Sequence, residues 1–314
     1  MRDLRIVFMG TPDFAVAILR QLVEDQCNIV GVITAPDKPA GRGRKLNQSA
    51  VKKYAVEQNL NLLQPTNLKN EDFIKDLKAL NANLQVVVAF RMLPKIVWKM
   101  PEFGTFNLHA SLLPSYRGAA PIHWAIINGE EKTGVTTFFI DDKIDTGEII
   151  LQKETSIDKH ETVGELHDKL MHLGANLVSE TVSYIKEGTI NTQKQPNIDI
   201  KTAPKLFPDN CKVNWNYYLD TIYNHIRGLN PFPAAWSEMN NNGIITSIKL
   251  YAIRKEETVH QDTIGKIIVT KKDIKVAVNG GYIFIDEIKV SGKKKLDSKS
   301  LLNGYSFSSD AKML

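Results

Sequence analysis

Cysteine is nearly missing from this chain. Its 314 residues include two, Cys27 and Cys211, far apart and in no paired motif. Neither a disulfide framework nor a cysteine-based metal site follows. The seven histidines show no H-E-x-x-H or similar spacing, so no metal is expected. No run approaches the roughly 18 apolar residues that span a bilayer. The apolar stretch at residues 5–10 is too short for a signal peptide and reads as a first strand. These absences predict a cytoplasmic, reduced protein with no membrane contact, in which the sequon Asn47-Gln48-Ser49 goes unused. A dinucleotide loop is missing too. Gly10-Thr11-Pro12 follows the first strand without G-x-G-x-x-G, and there is no Walker A loop.

Apolar residues make up 43% of the chain, enough for a sizeable core and for two domains rather than one. The net charge of +5 is unevenly spread. Residues 1–203 hold 24 Lys+Arg and 24 Asp+Glu, whereas residues 204–314 hold 16 against 11. A basic tail half suits a polyanionic partner, although an excess of five is also ordinary surface variation.

Strand and helix signals alternate through the first 190 residues. Strands are expected at 5–9, 29–34, 62–63, 84–90, 105–108, 135–140 and 149–151. Helices are expected after Pro12, at 50–57, around Phe73–Leu80 and at 163–186, where Val163, Leu166, Leu170, Leu173 and Leu177 share one side. The alternation predicts an α/β fold with a doubly wound, mostly parallel sheet. Residues 188–202 are polar, without strong period, and read as a linker. Beyond a helix at 218–229 come short strands at 244–253, 265–270, 274–278 and 282–290, with turns at Asn240–Gly243 and Asn279–Gly281. These predict a small β-barrel, an oligonucleotide-binding (OB)-like one being a candidate. Trp215, Tyr217, Tyr218 and Trp236 suit core packing better than base stacking at these spacings.

The chemistry centres on Asn107-Leu108-His109. Alternate strand residues share a face, so Asn107 and His109 point the same way at a strand end. Open α/β sheets bind ligands at such ends. A second polar turn, Asp141-Asp142-Lys143-Ile144-Asp145-Thr146-Gly147, follows a later strand. Amide, imidazole and carboxylate together suit acyl transfer. A histidine at a strand end is often only structural. Here Ser111-Leu-Leu-Pro114 and Arg117-Gly-Ala-Ala-Pro121 crowd Pro, Gly and small residues around it, which favours a ligand site. A Ser–His–Asp hydrolase on Ser111 lacks the G-x-S-x-G turn.

On these residues the chain resembles the folate-dependent formyltransferases. The resemblance rests on N-L-H-x-S-L-L-P from Asn107, on Arg117–Ile122 and on Asp142-x-x-Asp145-Thr146-Gly147. It implies a Rossmann-like formyltransferase fold and a formyl group moved from 10-formyltetrahydrofolate, a cosubstrate, to an amine. It also implies that Asn107, His109 and Asp145 are catalytic. Folate contacts are implied for the turn Ser111, Leu112, Leu113 and Pro114, for Phe90, Arg91, Met92 and Leu93 in the loop after residue 88, and for Asp142. Many members have Gly where this chain has Arg91.

The resemblance extends to members of the family that formylate the free amino group of initiator methionyl-tRNA for translation initiation. They carry a basic, Gly-rich loop matching Thr34–Lys45, which implies tRNA contacts for Lys38, Arg42, Arg44 and Lys45. Ile226–Trp236 and Gly292-Lys293-Lys294-Lys295 are similar to the C-terminal domain of those members, and the three lysines are assigned a non-specific phosphate role. The implied organisation is a catalytic domain at 1–188, a linker at 189–205 and an OB-like tRNA-binding domain at 206–314. A monomer is expected. Formylation of a small amine, a ribonucleotide or an amino sugar, is the alternative.

Overall fold

The computed structural model describes residues 1–40, 45–196 and 201–314, with Pro39, Ala40 and Lys45 described by backbone alone. Arg42 and Arg44 lie outside the described residues. The chain forms two compact units, neither of them one continuous piece. The first comprises Met1–Gly118, Thr133–Thr155 and His167–Thr202, and the second Ala119–Lys132, Ser156–Leu166 and Ala203–Leu314.

The first unit is built on a seven-stranded sheet. Across it the strands run Ile149–Ser156, Lys132–Phe139, Thr105–His109, Leu84–Val88, Ile6–Gly10, Ile29–Ile33 and Leu62–Leu63. The pairings from Leu62–Leu63 to Thr105–His109 are parallel, and Lys132–Phe139 runs antiparallel to Thr105–His109. Successive strands move outward in one direction from Ile6–Gly10. The chain then returns to its other side at Leu84–Val88 and moves outward in the opposite direction. The two strands at this reversal are buried at every position, as strands covered on both faces must be.

Local rules account for the helices. Asp13–Glu24 buries Phe14, Ala15, Ile18, Leu19 and Leu22 along one face. It begins one residue after Pro12, which takes the cap position. Ser49 caps Ala50–Glu57 by accepting the Lys52 N–H at 3.0 Å, and Asn70 caps Glu71–Ala79 by accepting that of Phe73 at 3.0 Å. Gly10 is required where the first strand turns into its helix, since a Cβ there would stand 2.6 Å from Ala15 Cβ.

Three features of this unit differ from expectation. The strand at Ile149 runs on to Ser156, because beyond Leu151 it alternates half-buried with exposed residues, a weak apolar signal. The backbone of Lys38–Ala40 pairs antiparallel with Lys45–Asn47, inside a stretch expected to be loop. Residues 189–202, expected in a linker, group with the first unit. There Gln193 exchanges backbone hydrogen bonds of 2.8 and 2.9 Å with Ile149, satisfying groups at the sheet edge.

In the second unit, helix Leu219–Arg227 accompanies two antiparallel sheets of five and four strands around one core. Each of two expected long strands divides in two. The first becomes Ile244–Leu250 and Ile253–Glu257, the second Gly281–Ile285 and Glu287–Val290, and at each break the chain passes to the other sheet. The cause is a change of parity. Buried Ile283 and Ile285 are two apart, but the next buried residue, Ile288, is three further on. The two sheets also meet where Ile267 N donates to Ala311 O at 2.9 Å and Met313 N to Gly265 O at 2.8 Å, giving the barrel-like closure. Trp215 is core, its Nε1 donating to Ser237 Oγ at 2.8 Å, whereas Tyr217 and Tyr218 are exposed.

Candidate active site

The strand Thr105–His109 ends at the carboxyl edge of the sheet, one strand from the reversal of strand order, where α/β sheets place ligands. Asn107 and His109 share one face of it. Asn107 is half-buried, and among the described residues its side-chain amide has no hydrogen-bond partner. His109 is buried, 6% exposed. Its Nε2 stands 2.8 Å from Tyr116 O. A carbonyl only accepts, so Nε2 carries the hydrogen. Nδ1 faces Asp145, whose Oδ2 is 3.8 Å away.

The backbone around these groups is held in unusual conformations. Ala89, Tyr116 and Asp145 have φ of +46°, +63° and +55°. Each left-handed L-residue costs roughly 1–2 kcal/mol, and such strain clusters at functional sites. For Tyr116 the conformation accompanies the carbonyl's approach to the ring. For Asp145 the support is hydrogen bonding, since its Oδ2 accepts the Gly118 N–H at 2.9 Å. Asp141 closes the same loop by accepting Lys143 N at 2.9 Å and Thr146 Oγ1 at 2.8 Å. Gly147 ends it against the sheet, where a Cβ would lie 1.6 Å from Phe139 O.

The turn Ser111–Pro114 is clamped from the neighbouring strands. Thr136 Oγ1 donates to Ser111 O at 2.6 Å and accepts the Leu113 N–H at 3.2 Å. Gln152 Nε2 donates to Leu113 O at 2.8 Å. Ser111 is buried, its hydroxyl donating to Ser115 O at 2.7 Å, and Leu113 packs with Phe138 and Ile149. Leu112 and Pro114 are half-buried.

The segment after Leu84–Val88 is less uniform than expected. Leu93 lies in the core beside Val97, and half-buried Phe90 packs on the same cluster. Arg91 is turned toward the preceding loop, donating to Thr66 O at 2.9 Å and to Pro65 O, and partial burial lowers its pKa. Met92 is 75% exposed. Asp142 pairs with Lys95 at 2.9 Å, joining two segments that also expose Ile96 and Ile144. Met92, Ile96 and Ile144 are thus large apolar side chains left exposed near the carboxyl edge of the sheet. Beside the Asp145 loop lies a cleft of about 520 Å³ lined by Arg117, Asp141, Asp142, Lys143, Thr146 and Gln195.

Of the residues expected at a phosphate-binding surface, Lys38 is exposed and follows Asp37, which is anchored to Lys52 at 2.6 Å and to Gln64 at 3.0 Å. Lys45 is described by backbone alone. Lys293, Lys294 and Lys295 are exposed in the second unit, with Lys295 paired to Glu287 at 2.8 Å. Sequence reasoning missed Thr136, Gln152 and Gln195. A threonine facing inward on a buried strand is a weak signal for the first, and nothing in the chain marks the other two.

Two family models match, Formyl transferase over residues 4–182 and Formyl transferase, C-terminal domain, over residues 205–306. The chain belongs to the formyl transferase family. Among curated formyl transferases it is 57% identical to the methionyl-tRNA formyltransferase of Flavobacterium johnsoniae, over 100% of both chains. It is 59% identical to that of Flavobacterium psychrophilum, over 98% of each. Among solved structures, an N-formyltransferase from Helicobacter canadensis in complex with folinic acid and dTDP-3-aminofucose is 21% identical. Its TM-score is 0.64, covering 90% of this chain and 98% of that one, a likeness of fold.

Proposed function

We infer that this chain transfers the formyl group of 10-formyltetrahydrofolate to the free amino group of methionyl initiator tRNA. The observation that carries the reading is full-length similarity above 50% to methionyl-tRNA formyltransferases, together with Asn107, His109 and Asp145 at one sheet edge. The N-formyltransferase solved in complex with dTDP-3-aminofucose shares only 21% identity with this chain.

The geometry supports a division of roles. The attacking amine has a free pKa of about 8, so much of it is already neutral near pH 7.5. Asn107 donates to the oxygen that gains charge as the formyl carbon becomes tetrahedral. His109, with Nε2 held by Tyr116, takes the amine proton at Nδ1 and gives it to N10 of the donor as the tetrahedral carbon collapses and the C–N10 bond breaks, releasing tetrahydrofolate and the formylated amine. Asp145 then faces the imidazolium. No covalent enzyme intermediate is needed, because holding both substrates together supplies much of the acceleration. The clamped turn Ser111–Pro114 and the exposed Met92, Ile96 and Ile144 fit the flat donor. Asp142 borders it, with Phe90 and Leu93 supporting the loop from the core. On this reading residues 1–188 carry the chemistry and residues 206–314 hold the RNA. Lys38, Arg42, Arg44 and Lys45 engage its acceptor end, and Lys293, Lys294 and Lys295 its phosphates. The enzyme acts as a monomer in the cytoplasm. Among the described residues no helix is long and apolar enough to cross a membrane.

The test is acceptor choice. The protein is incubated with 10-formyltetrahydrofolate and, separately, methionyl initiator tRNA, an amino sugar, glycinamide ribonucleotide or water. Formyl transfer to the methionyl ester is expected. Faster transfer to either small amine rejects the reading.

A further inference from the structure

Asp145 sits in a left-handed turn, and the groups that keep it there come from outside its own loop. We propose that Gln195 is a positioning residue for Asp145. Its side-chain Nε2 donates to Asp145 O at 2.9 Å and to Gly147 O at 2.8 Å. Its Oε1 accepts both Arg117 Nε at 3.1 Å and Arg117 Nη2 at 2.6 Å. The residue after Arg117, Gly118, donates its N–H to Asp145 Oδ2. Gln195 therefore reaches the same aspartate by two routes. One is direct, to the backbone carbonyl. The other runs through Arg117 and Gly118 to the carboxylate facing His109.

The chemistry demands this side chain. Two carbonyls need two donors on one nitrogen, and a guanidinium needs an acceptor beside it. An amide supplies both at once, and glutamate has no donor to give. Asparagine is one methylene shorter and cannot span the same three partners. Gln195 touches no reacting atom and acts through Asp145. The proposal rests on the reading of Asp145 as the partner of His109. It also gives a task to a segment whose sequence suggests only a linker.

The full-length protein carrying Gln195→Met, which keeps the volume and removes all four hydrogen bonds, tests it. With methionyl initiator tRNA and 10-formyltetrahydrofolate, kcat falls about 10²-fold, the order expected when a reacting group shifts by about an ångström. Both KM values stay within about threefold, since Gln195 is not among the residues read as contacting either substrate. Adding Gln195→Met to Asp145→Asn costs nothing further. Gln195→Glu loses activity similarly and replaces the methionine variant should that one not fold. Undiminished kcat, or losses that multiply in the double variant, overturns the proposal. Amide exchange at Gly118 gives a readout independent of turnover, and it should accelerate in Gln195→Met. Unchanged exchange overturns the clamp. Accelerated exchange in a protein that formylates no tRNA leaves the clamp standing and rejects the functional reading instead.

Discussion

Asp145 Oδ2 lies 3.8 Å from His109 Nδ1 while accepting the Gly118 N–H at 2.9 Å. The carboxylate is thus fixed by a backbone N–H rather than by the ring it faces. On the proposed mechanism it faces the imidazolium formed on His109. Asp145→Asn keeps an acceptor for Gly118 and removes the charge. We expect kcat to fall by about 10²–10³ in this variant and in Asn107→Ala and His109→Ala, roughly 3–4 kcal/mol of transition-state stabilisation each. Single-turnover formylation beside a tRNA-binding measurement checks this, with affinity for tRNA nearly unchanged. Near-wild-type turnover in any of the three would reject its assigned role.

Thr136 is fully buried and serves three partners: Ser111 O, Leu113 N and Gln152 Nε2. Thr136→Val keeps the shape and strands Ser111 O and Leu113 N, which belong to buried residues, whereas exposed Gln152 keeps Leu113 O and water as partners. The expected loss of stability is about 1–3 kcal/mol, the cost of an unsatisfied buried polar group. Because the stranded groups belong to the turn Ser111–Pro114, KM for the folate donor should rise while KM for tRNA does not. Denaturant unfolding and the two KM values decide between this and a role confined to the sheet.

Asp37 directly precedes the strand Lys38–Ala40 and is held by Lys52 and Gln64. Hydrogen bonds from Lys52 and Gln64 hold its carboxyl below the ordinary carboxylate range. A carboxyl depressed on folding stabilises the protein above its unfolded pKa of about 4, and the contribution is lost as pH falls through the lower folded value. Asp37→Asn should flatten that part of the acid-unfolding curve. It should also raise KM for tRNA about tenfold, as expected for looser presentation of phosphate contacts, and leave KM for folate alone. Acid titration and steady-state kinetics on one variant test both halves.

His225 in the second unit hydrogen-bonds the Cys211 backbone, and its Nε2 is buried without a partner among the described residues. Burial lowers its pKa. The unfolded chain therefore binds a proton near pH 6.5 that the folded unit refuses. The stabilisation is complete above about pH 6.5 and declines as pH falls toward the folded value. A thermal midpoint followed from pH 8 to pH 5 should drop more in the wild type than in His225→Phe. Equal slopes would show that this ring is not the titrating group.

The apolar periods of the sequence determined most elements and their order, because a strand or helix face is written within a few residues. They also marked Asn107 and His109, whose shared face follows from alternation along one strand. The breaks at residues 251–252 and 286 were written there too, as a change of spacing between apolar residues. Only the tertiary structure decided how Asp145 is held, that Thr136 and Gln152 clamp the turn Ser111–Pro114, that Leu93 is core and that Arg91 reaches Pro65 and Thr66. It alone brought Gln195 to the Asp145 loop. Those contacts join residues 16 to 78 positions apart. No local propensity encodes such a pairing, because the partners meet only after the sheet has set strand order and register.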